Sequence, residues 1–94
     1  MEFSVYILKC NNNAYYTGHT DNIAKRIAEH QSGNGGAYTA SHLPVELVFN
    51  ELFESREAAF VMEQQIKKWS RQKKEALIQG DFKLIAKFAK KRFK

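Results

Sequence analysis

The chain has one cysteine, Cys10, so no internal disulfide can brace it. A reducing cytoplasm fits that scarcity, and a cytoplasmic protein is the expectation. The N-terminus lacks a basic segment followed by a long apolar stretch, so no secretory signal is expected. No apolar run approaches the length of a membrane span. Repeats and low-complexity tracts are absent. Cys10 and three scattered histidines lack the paired spacing of a zinc site. Cys10 has no base placed beside it by sequence, which speaks against a cysteine nucleophile. The GNGG tract lacks the lysine–serine ending of a phosphate-binding glycine loop. Acid is missing after Asp81, whereas Lys83, Lys87, Lys90, Lys91, Arg92 and Lys94 follow.

What is present suits one small domain spanning residues 1–94, with a basic helical part from about residue 70 onward. The apolar fraction of 44% is ordinary for a folded chain, which argues against global disorder. The formal charge of +5 favours an anionic partner, nucleic acid ahead of a membrane surface.

The residues Phe3 to Cys10 are rich in Phe, Val, Tyr and Ile, which predicts a strand. Asn11-Asn12-Asn13 reads as a turn, because asparagine tolerates left-handed backbone angles. Ala14 to His19 is then the return strand. Symmetric pairing about Asn12 sets Tyr6 opposite Gly18 and Leu8 opposite Tyr16, all on one side of the ribbon. In that register Tyr6 and Tyr16 are diagonal neighbours, and a slip of one residue would separate them.

Thr20-Asp21 is an expected N-cap for a helix over Asn22 to Gln31, with Ile23, Ala24 and Ile27 facing inward. Arg26 and His30 are four apart and so share a face with Asn22. Gln31 to Pro44 is expected to be loop. Val45 to Phe53 is a third strand, apolar on both faces and so expected to be partly covered on both. Ser55 caps a helix to about Lys68, with the stripe Ala58, Ala59, Met62, Ile66 and Trp69. Glu63 borders that stripe and needs a partner, since an unpaired buried carboxylate is costly. An ion pair with Lys67 and a side chain reaching to water are both open at this point. Ser70 caps Arg71 to Gln79, which Gly80 ends. Asp81 caps a last helix, with Phe82, Ile85, Ala86, Ala89 and Phe93 on one stripe.

SVY, then YTG ten residues on, then Arg26 and a glutamate on a later helix form an ordered set. That set resembles the GIY-YIG nuclease superfamily. YILKC, YYTGHT, GGAYT and PVELVF resemble landmarks of its small stand-alone bacterial members, the UPF0213-like group. The resemblance covers nearly the whole chain. It implies an α+β fold with a small three-stranded, mostly antiparallel sheet flanked by helices. It also implies an endonuclease using one divalent metal, Mg²⁺ or Mn²⁺. Position by position, it makes Tyr6 and Tyr16 the two tripeptide tyrosines, Arg26 the catalytic arginine and Glu63 the metal ligand. His30 falls where relatives place a tyrosine or histidine, and His19 where some place a lysine. Ser4 and Thr17 depart from the family pattern without touching a reacting group. His19 in place of lysine exchanges a permanent charge for a titratable one.

The chemistry is consistent with those residue types. Arginine offers a planar fork of donors to phosphate oxygens, and Mg²⁺ prefers carboxylate oxygen. A tyrosine, with a reference pKa of about 10, becomes a plausible base if a metal and an arginine favour its phenolate. Each side chain taken singly also has a plainer reading: half-buried strand tyrosines, a surface arginine, a helix C-terminal histidine. Their co-occurrence in order is what the plain readings must explain separately.

Lys67, Lys68, Arg71, Lys73, Lys74, Lys87, Lys90 and Lys91, with aromatic residues among the last of them, are the expected contacts to a nucleic-acid backbone. A solvated face or a membrane-surface helix would carry the same pattern. DNA, including branched or damaged forms, is the expected partner, with RNA still open and no membrane expected. A module that binds without cutting is the rival reading. Substrate specificity could also come from a homodimer or a protein partner.

Overall fold

A computed structural model describes residues 2–80. The expected helix after Asp81, with Lys87, Lys90 and Lys91, lies outside the described residues. Three strands, β1 (Phe3–Lys9), β2 (Tyr15–Thr20) and β3 (Glu46–Phe53), form one antiparallel sheet in the order β2-β1-β3. Among the described residues four helices surround it: α1 (Ile23–Gln31), α2 (Ala37–Ala40), α3 (Arg56–Lys68) and α4 (Arg71–Gln79). The fold is α+β, as the resemblance implies. Among the described residues no helix is long and apolar enough to cross a membrane.

The β1–β2 register is the one read from the turn, with Tyr6 opposite Gly18 and Leu8 opposite Tyr16. Asn13 takes the left-handed conformation, φ 67°, and Asn12 Oδ1 accepts from Ala14 N at 3.1 Å. Those bonds fix a tight connection, and a tight connection fixes the register.

Strand β1 is the middle strand and is covered on both faces. Val5 and Ile7 pack with Ala59 and Ile66 of α3 and Leu77 of α4. Tyr6, Leu8 and Cys10 pack on the other face with Val45, flanked by Tyr16, Ile23, Ile27 and Leu43. Strand alternation therefore sends Tyr6 to the α1 layer and its two neighbours to the α3–α4 layer.

Five expectations are corrected. The cap of α1 is Asn22, whose side chain accepts from Lys25 N at 3.1 Å, and not Thr20-Asp21. Thr20 Oγ1 instead accepts from Asn22 N, and Asp21 pairs with Arg56. Ala24 is exposed, and the inward stripe is Ile23, Ile27 and His30. Ala58 is exposed too, so α3 buries Ala59, Glu63 and Ile66. The segment before Pro44 holds a one-turn helix, α2, where loop was expected. Strand β3 is an edge strand with a bulge: Ile7 pairs with Phe49 and Leu8 with Leu47, which leaves Val48 extra. Leu52 is open to solvent, so its cover is thinner than expected.

Candidate active site

The face of β1 that carries Tyr6 meets α1 at Arg26 and His30. Tyr6 is buried and lies across Gly18 of the neighbouring strand. A Cβ at residue 18 would sit 2.6 Å from the Tyr6 hydroxyl, so glycine is required for the ring to pass over β2. Because β2 is an edge strand, this brings the hydroxyl toward the rim of the sheet.

His30 has no solvent exposure. Its Nε2 is 3.0 Å from Tyr6 Oη, and its Nδ1 is 2.9 Å from Thr39 Oγ1. The imidazole stands edge-on to both Tyr6 and Tyr16, with ring centroids 5.8 Å and 5.2 Å away. Burial, helped by the nearby Arg26 charge, pushes its pKa down, so the ring is neutral. Gly35 has to be glycine as well, because a Cβ there would run into the His30 ring and backbone.

Arg26 donates to Glu29 Oε1 at 3.2 Å and to Gly35 O at 3.0 Å. Its guanidinium also faces the Tyr6 hydroxyl at longer range and favours the phenolate. Burial opposes this and wins, with a smaller push from Tyr16, so the Tyr6 pKa lies above its ordinary value. Arg26 thus acts in the expected direction, but alone it does not offset burial. In the protein alone Tyr6 keeps its proton.

Glu63 stands on the other layer. Residues 18 and 19 of β2 point to opposite faces, so His19 turns toward α3. Glu63 Oε1 accepts from His19 Nδ1 at 2.8 Å, and its Oε2 faces Lys67 Nζ at 3.1 Å and Gln64 Nε2 at 2.9 Å. Burial is the largest single influence on this carboxyl and raises its pKa. His19 and Lys67 together outweigh it and hold the group below the usual value, so it is ionised. Its oxygens accept nothing from the tyrosines or Arg26, but its charge is felt at Tyr6. Tyr6, Tyr16, Arg26 and His30 therefore converge, while Glu63 and His19 form a second group across the edge strand.

Among the described residues no cluster of three or more His, Cys, Asp or Glu could hold a metal ion. A single ionised carboxylate still fits a hard cation that keeps most of its waters, as Mg²⁺ does. A cation there would replace Lys67, whose long side chain is half exposed. Cys10 is buried and its thiol pKa is raised, which leaves it inert.

The basic residues are placed unequally. Lys68 is exposed. Arg71 pairs with Glu75 and lies over the Tyr15 ring. Lys74 is half-buried, and Lys73 is buried with its ammonium 3.9 Å from the Trp69 ring centre. A surface groove of about 700 Å³ is lined by Phe60, Val61, Gln64, Lys68 and Trp69 among others. Thr39 and Gly35 were missed as site residues in the sequence. The GGAYT run was the available signal, but only contact with His30 gives it meaning.

The model of the GIY-YIG catalytic domain family matches residues 2–76. A UPF0213 protein of Natronomonas pharaonis is 49% identical over 74 residues, covering 79% of this chain and 87% of that one. One from Staphylococcus haemolyticus is 47% identical over 75 residues, covering 80% and 92%. The solution NMR structure of a UPF0213 protein from Bacillus halodurans is 42% identical, covers 84% of each chain and superposes with a TM-score of 0.56. A second NMR structure, of a protein from E. faecalis, is 32% identical with a TM-score of 0.60, covering 87% of this chain and 88% of that one. A match across so much of the chain, on a fold that holds the two tripeptides side by side, means that this chain belongs to the GIY-YIG catalytic-domain family.

Proposed function

We propose that this protein is a metal-dependent endonuclease that hydrolyses phosphodiester bonds in DNA. The observation that carries this reading is the Tyr6 hydroxyl, 3.0 Å from the His30 imidazole and within the field of the Arg26 guanidinium. An ionised carboxylate, Glu63, stands across the edge strand.

The scissile phosphate sits against the rim of the sheet, with Arg26 donating to its oxygens as charge builds there. A water attacks phosphorus, its proton passes to Tyr6 Oη, and the Tyr6 proton passes to His30 Nε2. Tyr6 thus acts while protonated, which suits its raised pKa. The new P–O bond forms as the bond to the leaving oxygen breaks, and that oxygen takes a proton from solvent. Tyr16 packs His30 in place. When bound at Glu63, a divalent cation supplies positive charge to the phosphate and the leaving oxygen. Lys68 and the other exposed bases of α3 and α4 offer contacts to the flanking backbone.

One observation favours a second reading, a binding module or a subunit that cuts only with a partner. Both oxygens of Glu63 are already engaged by the chain's own donors.

A nicking assay on supercoiled plasmid and on flapped and junction DNA separates the two. With Mg²⁺ or Mn²⁺ the wild type should nick, and chelator should stop it. Arg26→Ala and Glu63→Gln should each lose on the order of 10²-fold or more. Equal nicking by all three proteins would assign the activity to a contaminant. Binding with no nicking under any condition would favour the module.

A further inference from the structure

Two polar groups hold the His30 ring, and a neutral imidazole has only one N–H. One of its two contacts therefore donates and the other accepts. The partners' own partners decide which. Thr39 Oγ1 lies 2.9 Å from Nδ1 and 3.4 Å from Gly36 O. A carbonyl can only accept, so the threonine proton belongs to Gly36 and a threonine lone pair is left for an N–H at Nδ1. On the other side the Arg26 guanidinium faces Tyr6 Oη and can only donate. The phenol proton is then directed at Nε2, 3.0 Å away.

We propose that Thr39 is a positioning residue that fixes the Nδ1–H tautomer of His30, so that Nε2 presents a lone pair to the Tyr6 hydroxyl. The chain of donors runs one way, from Tyr6 to His30, from His30 to Thr39 and from Thr39 to Gly36, with the Arg26 charge facing the Tyr6 end. The other tautomer breaks this order at both ends. Tyr6 Oη would receive the Nε2–H and need a new acceptor for its own proton. Gly36 O would lose the Thr39 proton and keep only the Ala40 N–H, 3.0 Å away. Tyr6, Thr39 and His30 are all sealed from solvent, so no bulk water takes up the displaced Tyr6 proton. The backbone supports the arrangement. Gly36, at φ 134°, opens α2 in a conformation that side-chain-bearing residues rarely adopt, and three residues later the helix delivers Thr39 to the imidazole.

The catalytic half of this inference rests on the nuclease reading, but the tautomer does not. Long-range ¹H–¹⁵N spectra of the full chain, labelled at histidine nitrogen, read it without substrate. The His30 signals are those lost in His30→Gln. The wild type should show a protonated Nδ1 and a bare Nε2. Thr39→Val, which keeps the shape and removes the hydroxyl, should move the proton to Nε2. Thr39→Ser, which keeps the hydroxyl and loses the methyl, should look like the wild type. A wild-type ring protonated at Nε2, or a Thr39→Val ring that does not change, overturns the proposal. On a substrate that the wild type cuts, Thr39→Val should lower kcat on the order of 10²-fold with KM little changed, and Thr39→Ser should restore it. A converted tautomer with undiminished kcat overturns the positioning role. A wild type that cuts nothing defeats the nuclease reading, while the nitrogen signals still decide the tautomer.

Discussion

A histidine sealed from water is cheap only while it is neutral, and His30 is in that position. Its folded pKa lies below the unfolded value of about 6.5, so the unfolded chain binds the proton more readily. Its contribution is therefore complete above about pH 6.5 and is lost as pH falls toward the folded value. The melting temperature should drop between about pH 7.5 and 5, and the drop should be smaller in His30→Gln. The lowered Glu63 pKa works in the same direction but only below the usual carboxylate range, so the two windows separate on a pH series. Gly18→Ala makes a different demand. The added methyl meets the Tyr6 ring and hydroxyl, so either the ring or β2 must shift. A cost of about 1–3 kcal/mol in urea unfolding is expected, together with loss of nicking. The facing of Tyr6, Tyr16 and Gly18 was legible in the sequence, because a symmetric turn fixes every pair in the ribbon. The role of Thr39 was not. It depends on a ring nine residues away and on a carbonyl, neither of which leaves a mark on residue type.

At the scale of elements, caps were the clearest signal. Ser55 accepts from Ala58 N and Ser70 from Lys73 N, and Gly80 ends α4 in the left-handed conformation. Ser55→Ala should cost about 1 kcal/mol by denaturant midpoint. Since α3 carries Glu63, the same variant should also weaken the response of cleavage to added metal. The cap of α1 was placed one or two residues early because Thr20, Asp21 and Asn22 are all good capping types, and only geometry chooses among them. Helix α2 could not be read, since one turn shows no period. The bulge at Val48 broke the alternation of β3, so a strand read as two clean faces has Val48 and Phe49 adjacent and both half-buried.

For the whole molecule, the charge of +5 predicts binding to duplex DNA that weakens with salt. Neutralising about four phosphates would give a log–log slope near −3.6, or about 10²-fold between about 50 and 200 mM salt. Lys68→Ala should reduce that slope by about 0.9 across all sequences, read by fluorescence anisotropy. Lys73→Ala should act mainly on stability, because its ammonium lies over Trp69 and the residue is buried. Burial of that kind follows from how α4 docks, which periodicity alone does not reveal. One further consequence comes from β1, whose odd-numbered residues build the interior while Tyr6 serves the rim. A library screened for cutting along this strand is screened for folding at the same moment. Tolerance maps of residues 4–8 will show a single merged phenotype, and only a readout blind to cutting can divide it.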